Sequence, residues 1–178
     1  MGLVNHDKGK TFATILNIFR NDLKYIVPDP QVVNAKNFGV PQKRERIFII
    51  GFKNNLGIIE EDFLYPLPDD TNKTIRDILE KDVVSGKYNV STQYLEYLRN
   101  HKMKNEAKRN GFGYKIKDLD GISNTLVTGG MVRERNLIVD KRLKDFTPVT
   151  QIKSEINREG FRRMTPREWA RLQGFLSE

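Results

Sequence analysis

The sequence contains no cysteine. That absence excludes a disulfide framework, a thiolate zinc site and a cysteine nucleophile supplied by this chain. Histidine is nearly absent too. His6 and His101 lie far apart with no second ligand pattern near either, so no metal site is expected. No apolar run approaches the roughly 20 residues of a membrane helix, and the opening "MGLVNHDKGK" has no apolar segment of the signal-peptide kind. These absences predict an intracellular protein with no membrane partner. Internal repeats and low-complexity tracts are also missing.

Basic charge is plentiful. Lys and Arg number 31 against 23 acidic residues, for a net charge of +8 and a pI near 9.6. A surplus of this size favours a polyanionic partner, nucleic acid foremost. A length of 178 residues suits about one domain, or one with a small satellite, and is enough to bury a real core.

Periodicity divides the chain. Residues 10–23 read as a helix capped by Thr11, with Phe12, Ile15, Leu16, Phe19 and Leu23 on one face. Tyr25, Ile26 and Val27 favour a strand that Pro28 and Pro30 confine to an edge or end. Residues 31–34 suggest a second short strand, and residues 34–42 a loop broken by Gly39 and Pro41. Residues 46–52 are nearly all apolar, which predicts a strand buried on both faces and paired antiparallel with its predecessor. Short helices are expected over 74–81 and 91–98. Residues 99–117 form a basic stretch with interleaved glycines and aromatics. Residues 123–140 read as two short strands joined through Gly129 and Gly130, and residues 141–160 as polar loop. Thr165, Pro166 and Glu168 make a capping box that opens a last helix, with Trp169, Ala170 and Leu172 on its apolar side.

Against this background "VPQKRERIFII", residues 40–50, sets a question. A strand needs its isoleucines but has no use for Arg44 and Arg46 at its mouth. Each piece alone has a plain structural reading, but their order and spacing do not. "LVNHDKGKTFATIL", "VVNAKNFGVPQKRERIFIIGF" and "FRRMTPREWARLQGF", with "ISNTLVTGG" between the last two, together resemble the DNA (cytosine-5) methyltransferase family across the whole chain.

The resemblance implies an α/β fold. The expected architecture is the C-terminal part of a Rossmann-like methyltransferase core (an antiparallel strand pair plus a helix) with a small, partly β target recognition domain. Residues 1–55 would end the catalytic core, 56–160 would form the recognition domain, and 161–178 would return toward the core. The family's reaction moves a methyl group from S-adenosylmethionine to cytosine C5 in duplex DNA, in restriction-modification systems of bacteria. Such an enzyme would be cytoplasmic and nucleoid-associated. Gln42, Arg44 and Arg46 match the family's Gln-x-Arg-x-Arg motif beside the target base. Their chemistry fits that place, because guanidinium forks grip phosphate and can stabilise charge growing on the cytosine ring. Arg109, Asn110, Thr125, Arg133 and Arg135 are the candidate DNA contacts of two recognition loops. The arginines and the asparagine suit base edges, and all five suit phosphate.

The family's Pro-Cys nucleophile, its Glu-Asn-Val strand and its glycine-rich cofactor loop have no counterpart here. The first residues match the point where the chain leaves the Glu-Asn-Val strand. The last match a point before the final Gly-Asn-Ser motif, and Leu176 replaces a usual proline. The expectation is therefore a portion that needs an N-terminal catalytic part, in cis or as a separate subunit, and that is inactive and cofactor-free alone. The alternatives are a non-enzymatic basic DNA-binding module and a basic α/β domain that binds RNA.

Overall fold

The computed structural model describes residues 2–69, 71–111, 113–126, 134–149 and 154–175. The chain forms two compact units. Unit 1 comprises residues 1–38 and 44–71, and unit 2 comprises residues 39–43 and 72–178.

Unit 1 opens with α1 (Gly2–Asn5) and α2 (Lys10–Asn17), which continues through a π turn at Ile18–Asp22. The helix expected here is present. Its cap is not Thr11, however, but Gly9 at φ 88, and the Thr11 hydroxyl instead lies 2.6 Å from His6 Nδ1. A left-handed turn suits glycine because no Cβ clashes there. Four short strands follow: β1 (Tyr25–Ile26), β2 (Gln31–Asn34), β3 (Glu45–Phe48) and β4 (Phe52–Lys53). The β2–β3 ladder is antiparallel, as expected, with Val32 opposite Ile47 and Val33 opposite Arg46. The single strand expected over 46–52 is divided, because its end pairs with β1 instead.

The expectation that this strand is buried on both faces is overturned. Val32 is 42% exposed and Phe48 46%. Both faces carry apolar side chains, but each sheet has only two strands, so no described neighbour covers them. Val27 and Pro28 are the buried apolar residues among the described residues of this unit.

Unit 2 holds the true core. Ile75, Ile78, Ile138, Met164 and Leu172 form one buried cluster, with Trp169 and Leu126 packed against it. Val90, Leu95, Leu98, Leu137 and Phe161 form a second. Helix α3 (Ile75–Ile78) starts at a Thr74–Asp77 capping box. Helix α4 (Thr92–Ala107) is capped by Ser91, whose hydroxyl accepts from the Tyr94 N–H. It runs nine residues past the last apolar anchor, Leu98, where the sequence pattern stops. Residues 99–107 bury no residue fully, and good helix formers with a Lys102–Glu106 pair carry them on.

The hairpin expected across Gly129 and Gly130 falls on residues the structure does not describe. Strand β5 (Ile138–Val139) binds β6 (Phe161–Arg162) antiparallel, while Ser123 bridges Gln42. Residues 127–133, including both glycines, lie outside the described residues. Helix α5 (Pro166–Arg171) has the expected capping box, with Thr165 Oγ1 accepting from the Glu168 N–H at 3.1 Å.

The Glu168 carboxylate does more than cap. Arg162, 1% exposed, donates to both its oxygens at 2.7 and 2.8 Å. The N–H groups of Thr165 and Glu80 also donate to it. Asp140 accepts from Arg162 and, twice, from the Arg142 side chain. The Arg142 fork therefore pulls the Asp140 carboxyl far below the usual carboxylate range, against burial and with help from Arg162. At Glu168 burial pushes upward, but the Arg162 fork and the two backbone donors outweigh it and leave the pKa lowered.

Arg162→Met should destabilise the protein by about 3–5 kcal/mol, because it strands a buried carboxylate; chemical denaturation measures it. Both carboxyls have folded pKa values below their unfolded values near 4. Their contribution should therefore be complete above about pH 5 and fade as pH falls through the acidic range. In Arg162→Met that acid-side decline should be much shallower.

Candidate DNA-facing site

The loop between β2 and β3 is tied at its neck by Asn34. Its side-chain oxygen accepts from the N–H groups of Lys36 and Arg44, its amide donates to Glu45, and Ala35 N–H donates to the Arg44 carbonyl. These bonds fix Arg44 and start β3. Arg46, on β3, is exposed, and its guanidinium donates only to the neighbouring Glu45 carbonyl at 2.7 Å. Arg44 is half-buried. Neither guanidinium is in a salt bridge with a described carboxylate.

Gln42 is placed differently. Residues 39–43 belong to unit 2, so the chain passes between units within the Gln-x-Arg-x-Arg motif, after Lys43. Gln42 is 1% exposed. Its side-chain amide donates to the Leu172 carbonyl at 2.9 Å, and its oxygen accepts from the Leu126 N–H at 3.4 Å. Its neighbours are laced to Ser123: Lys43 N–H donates to the Ser123 carbonyl and Ser123 N–H to the Pro41 carbonyl. The Thr125 hydroxyl donates to the Lys43 carbonyl. Alternation along a strand would turn 42, 44 and 46 to one side. The structure turns Gln42 inward and leaves Arg46 in solvent.

The two candidate recognition loops are brought together. Lys115 N–H donates to the Glu134 carbonyl, Leu137 N–H to the Lys115 carbonyl, and Lys117 N–H to the Leu137 carbonyl. Ile116 thus bridges Leu137 in parallel, which sets the segments at 115–117 and 134–137 beside each other. Arg109 and Asn110 are exposed where α4 ends, with Arg109 at φ 55 and its N–H closing onto Glu106. Arg135 is half-buried, whereas Arg133 lies outside the described residues. Below the loops, Glu134 is buried and accepts from Tyr94 and Arg163. Burial first, then the Glu134 charge, raise the Tyr94 pKa. Burial, then the Lys115 charge, lower that of Lys117.

Sequence reasoning missed Asn34 and Ser123 as positioning residues. A lone Asn at a strand end before a loop is the one available signal for the first, and Ser123 has none. No helix among the described residues is long and apolar enough to cross a membrane.

Helices and short antiparallel ladders make this a mixed α/β chain. Solved structures agree on the fold. A methyltransferase of Entamoeba histolytica aligns at TM-score 0.60 with 15% identity, over 96% of this chain and 48% of that one. The Dnmt2 methyltransferase of S. pombe aligns at TM-score 0.60 with 20% identity, over 97% and 51%. The family model for C-5 cytosine-specific DNA methylase matches residues 1–178, and the chain belongs to that family. It is 60% identical over 174 residues to the type II methyltransferase M.HpaII of Haemophilus parainfluenzae, covering 98% of this chain and 48% of that protein. It is 38% identical to M.SsoII of Shigella sonnei, covering 99% and 42%. The chain spans about half the length of the curated relatives it matches.

Gln42→Leu should therefore act on folding. It leaves the Leu172 carbonyl and Leu126 N–H without their buried partner, an effect of about 1–3 kcal/mol. The readout is a lowered denaturation midpoint.

Proposed function

We propose that this chain supplies target recognition and the arginine clamp of a type II DNA (cytosine-5) methyltransferase. The complete enzyme transfers a methyl group from S-adenosylmethionine to cytosine C5 in duplex DNA, within a restriction-modification system in the bacterial cytoplasm, in contact with the nucleoid. The observation that carries the reading is Arg46, a charged donor in solvent on a tied strand, four residues from an anchored Gln42. Extruding a base costs a few kcal/mol. Fixed guanidinium forks at Arg44 and Arg46 can hold the distorted backbone, and one can donate to the cytosine carbonyl as charge grows there. Gln42 serves as the positioning residue behind them, and its burial supports that part. The paired loops carry Arg109, Asn110, Arg133 and Arg135 toward base edges and phosphates. Thr125 serves by tying its loop to Lys43.

S-adenosylmethionine is the cofactor of the complete enzyme. Among the described residues every sheet is a two-stranded antiparallel ladder, and no glycine-rich turn leads from a parallel strand into a helix. The residues present here do not fit that cofactor. The nucleophilic cysteine must also come from a companion catalytic part, in cis or as a separate subunit, because this chain has none.

Purified alone, the chain should transfer no methyl group to cytosine-containing duplexes; measurable turnover without added protein defeats the proposal. It should bind duplex DNA weakly, with affinity falling steeply as salt rises, because phosphate contacts release counterions. Joined to the companion part, Arg46→Ala should leave the melting temperature nearly unchanged and raise the barrier to methyl transfer by ~2–4 kcal/mol. Arg46→Lys should restore only part, since lysine keeps the charge and loses the fork. Thermal collapse with normal turnover in the folded remainder would make Arg46 a structural residue.

A further inference from the structure

A second cationic site lies in unit 2, apart from the residues assigned above. Strands β5 and β6 continue into a turn where Asp140 N–H donates to the Gly160 carbonyl. Gly160 sits at φ 82, and a Cβ there would meet the Asp140 carbonyl at 2.7 Å, so only glycine lets the two segments close. Beside this turn opens a cleft of about 660 Å³. Lys141, Lys144 and Arg158 line it, all three exposed. Arg158 lies over the Phe146 ring at 5.3 Å, which steadies its plane.

The charge of this cleft is not cancelled from within. It contains two carboxylates, and each is already engaged: Asp140 by Arg142 and Arg162, and Glu159 by Arg99. Lys141, Lys144 and Arg158 have no ion-pair partner among the described residues. Asn89 also lines the cleft. It is 3% exposed, and neither its side-chain nitrogen nor its oxygen has a hydrogen-bond partner. A buried carboxamide with both ends unpaired is costly, and most such groups in native proteins are partnered.

We propose that this cleft is an accessory phosphate clamp for the DNA backbone, with Lys141, Lys144 and Arg158 neutralising a phosphate and the Asn89 amide donating to it. The inference rests on the DNA-binding reading above and adds a contact surface outside the two recognition loops. Its logic is that of positioning: backbone contacts fix register and orientation on the duplex without reading sequence. The Asp140–Gly160 backbone bond holds the chain just before Lys141, and Asp140 links it to the buried Arg162–Glu168 pair.

Fluorescence anisotropy of the full chain with a labelled duplex, across a salt series, tests it. Each phosphate contact removed should lower the slope of log affinity against log salt by ~0.9. Lys141→Gln/Lys144→Gln/Arg158→Gln should weaken binding at low salt at least tenfold and reduce that slope by about one or more contacts' worth. Lys8→Gln/Lys10→Gln/Lys24→Gln, an equal charge loss on exposed lysines of unit 1, should change the slope much less. Asn89→Leu should keep or raise the melting temperature, because it removes an unpaired buried amide, and should still weaken binding. Steep salt-dependent binding that is identical in the cleft triple variant and the wild type overturns the clamp and leaves the recognition reading standing. Equal slope changes in both triple variants also overturn it, by reducing the effect to net charge. No duplex binding by the wild type overturns both.

Discussion

The ion pair between Arg162 and Glu168 is the contact on which unit 2 is organised. Both groups are removed from water, and desolvation of two charges is expensive unless geometry and further hydrogen bonds compensate. Here they do. The two guanidinium nitrogens meet the two carboxylate oxygens, Asp140 takes the remaining Nε, and the N–H groups of Thr165 and Glu80 complete the carboxylate's shell. Segments near residues 80, 140 and 165 are thereby fixed to one another through a single buried centre. Arg142 and Arg171 extend the grip, donating to backbone carbonyls at the end of α3. A hydrophobic cluster alone would tolerate sliding of these segments. Forked, charged hydrogen bonds specify one register.

That fixed register matters because the handover in the Gln-x-Arg-x-Arg motif depends on it. Gln42 donates to the carbonyl of Leu172, the residue that caps α5, and the capping box of α5 is built on Glu168. The same buried centre that starts the helix therefore sets the acceptor that holds Gln42. One residue beyond Lys43 the chain belongs to unit 1, where Asn34 takes over and holds Arg44 by its backbone. In the proposed role, an anchored segment followed by the half-buried Arg44 and the exposed Arg46 suits preorganised donors, since a donor that is still before the reaction need not be ordered during it.

The two units differ in how they use apolar residues. Unit 2 buries two clusters around α3, α4 and α5. Unit 1 leaves Ile18, Leu23, Val32, Phe48, Leu64 and Leu67 substantially exposed. Its helices and ladders are amphipathic, yet few described residues pack on their apolar sides. The family reading accommodates this, because relatives are about twice as long as this chain.

Several features were determined by the sequence alone, and each is local. The helix starts at Ser91 and Thr165 follow from side-chain oxygens accepting from N–H groups three residues on, and the start at Thr74 from the Asp77 carboxylate accepting from the Thr74 N–H. The antiparallel β2–β3 pair follows from two β-forming runs, at 31–34 and 46–52, joined by a short loop. The family followed from four motifs in order. What only the tertiary structure decided involves partners distant in the chain. The motif's regular spacing could not reveal that Gln42 turns inward, because its acceptor lies 130 residues away. Nor could "FRR" show which arginine is buried, since Arg162 and Arg163 are chemically identical until β6 turns one toward Glu168 and the other toward Glu134. The length of α4 also escaped, because past Leu98 the helix is held by propensity and not by an apolar stripe. Local hydrogen bonds are written in nearest neighbours. The pairing of buried charges is written only in the fold that brings them together.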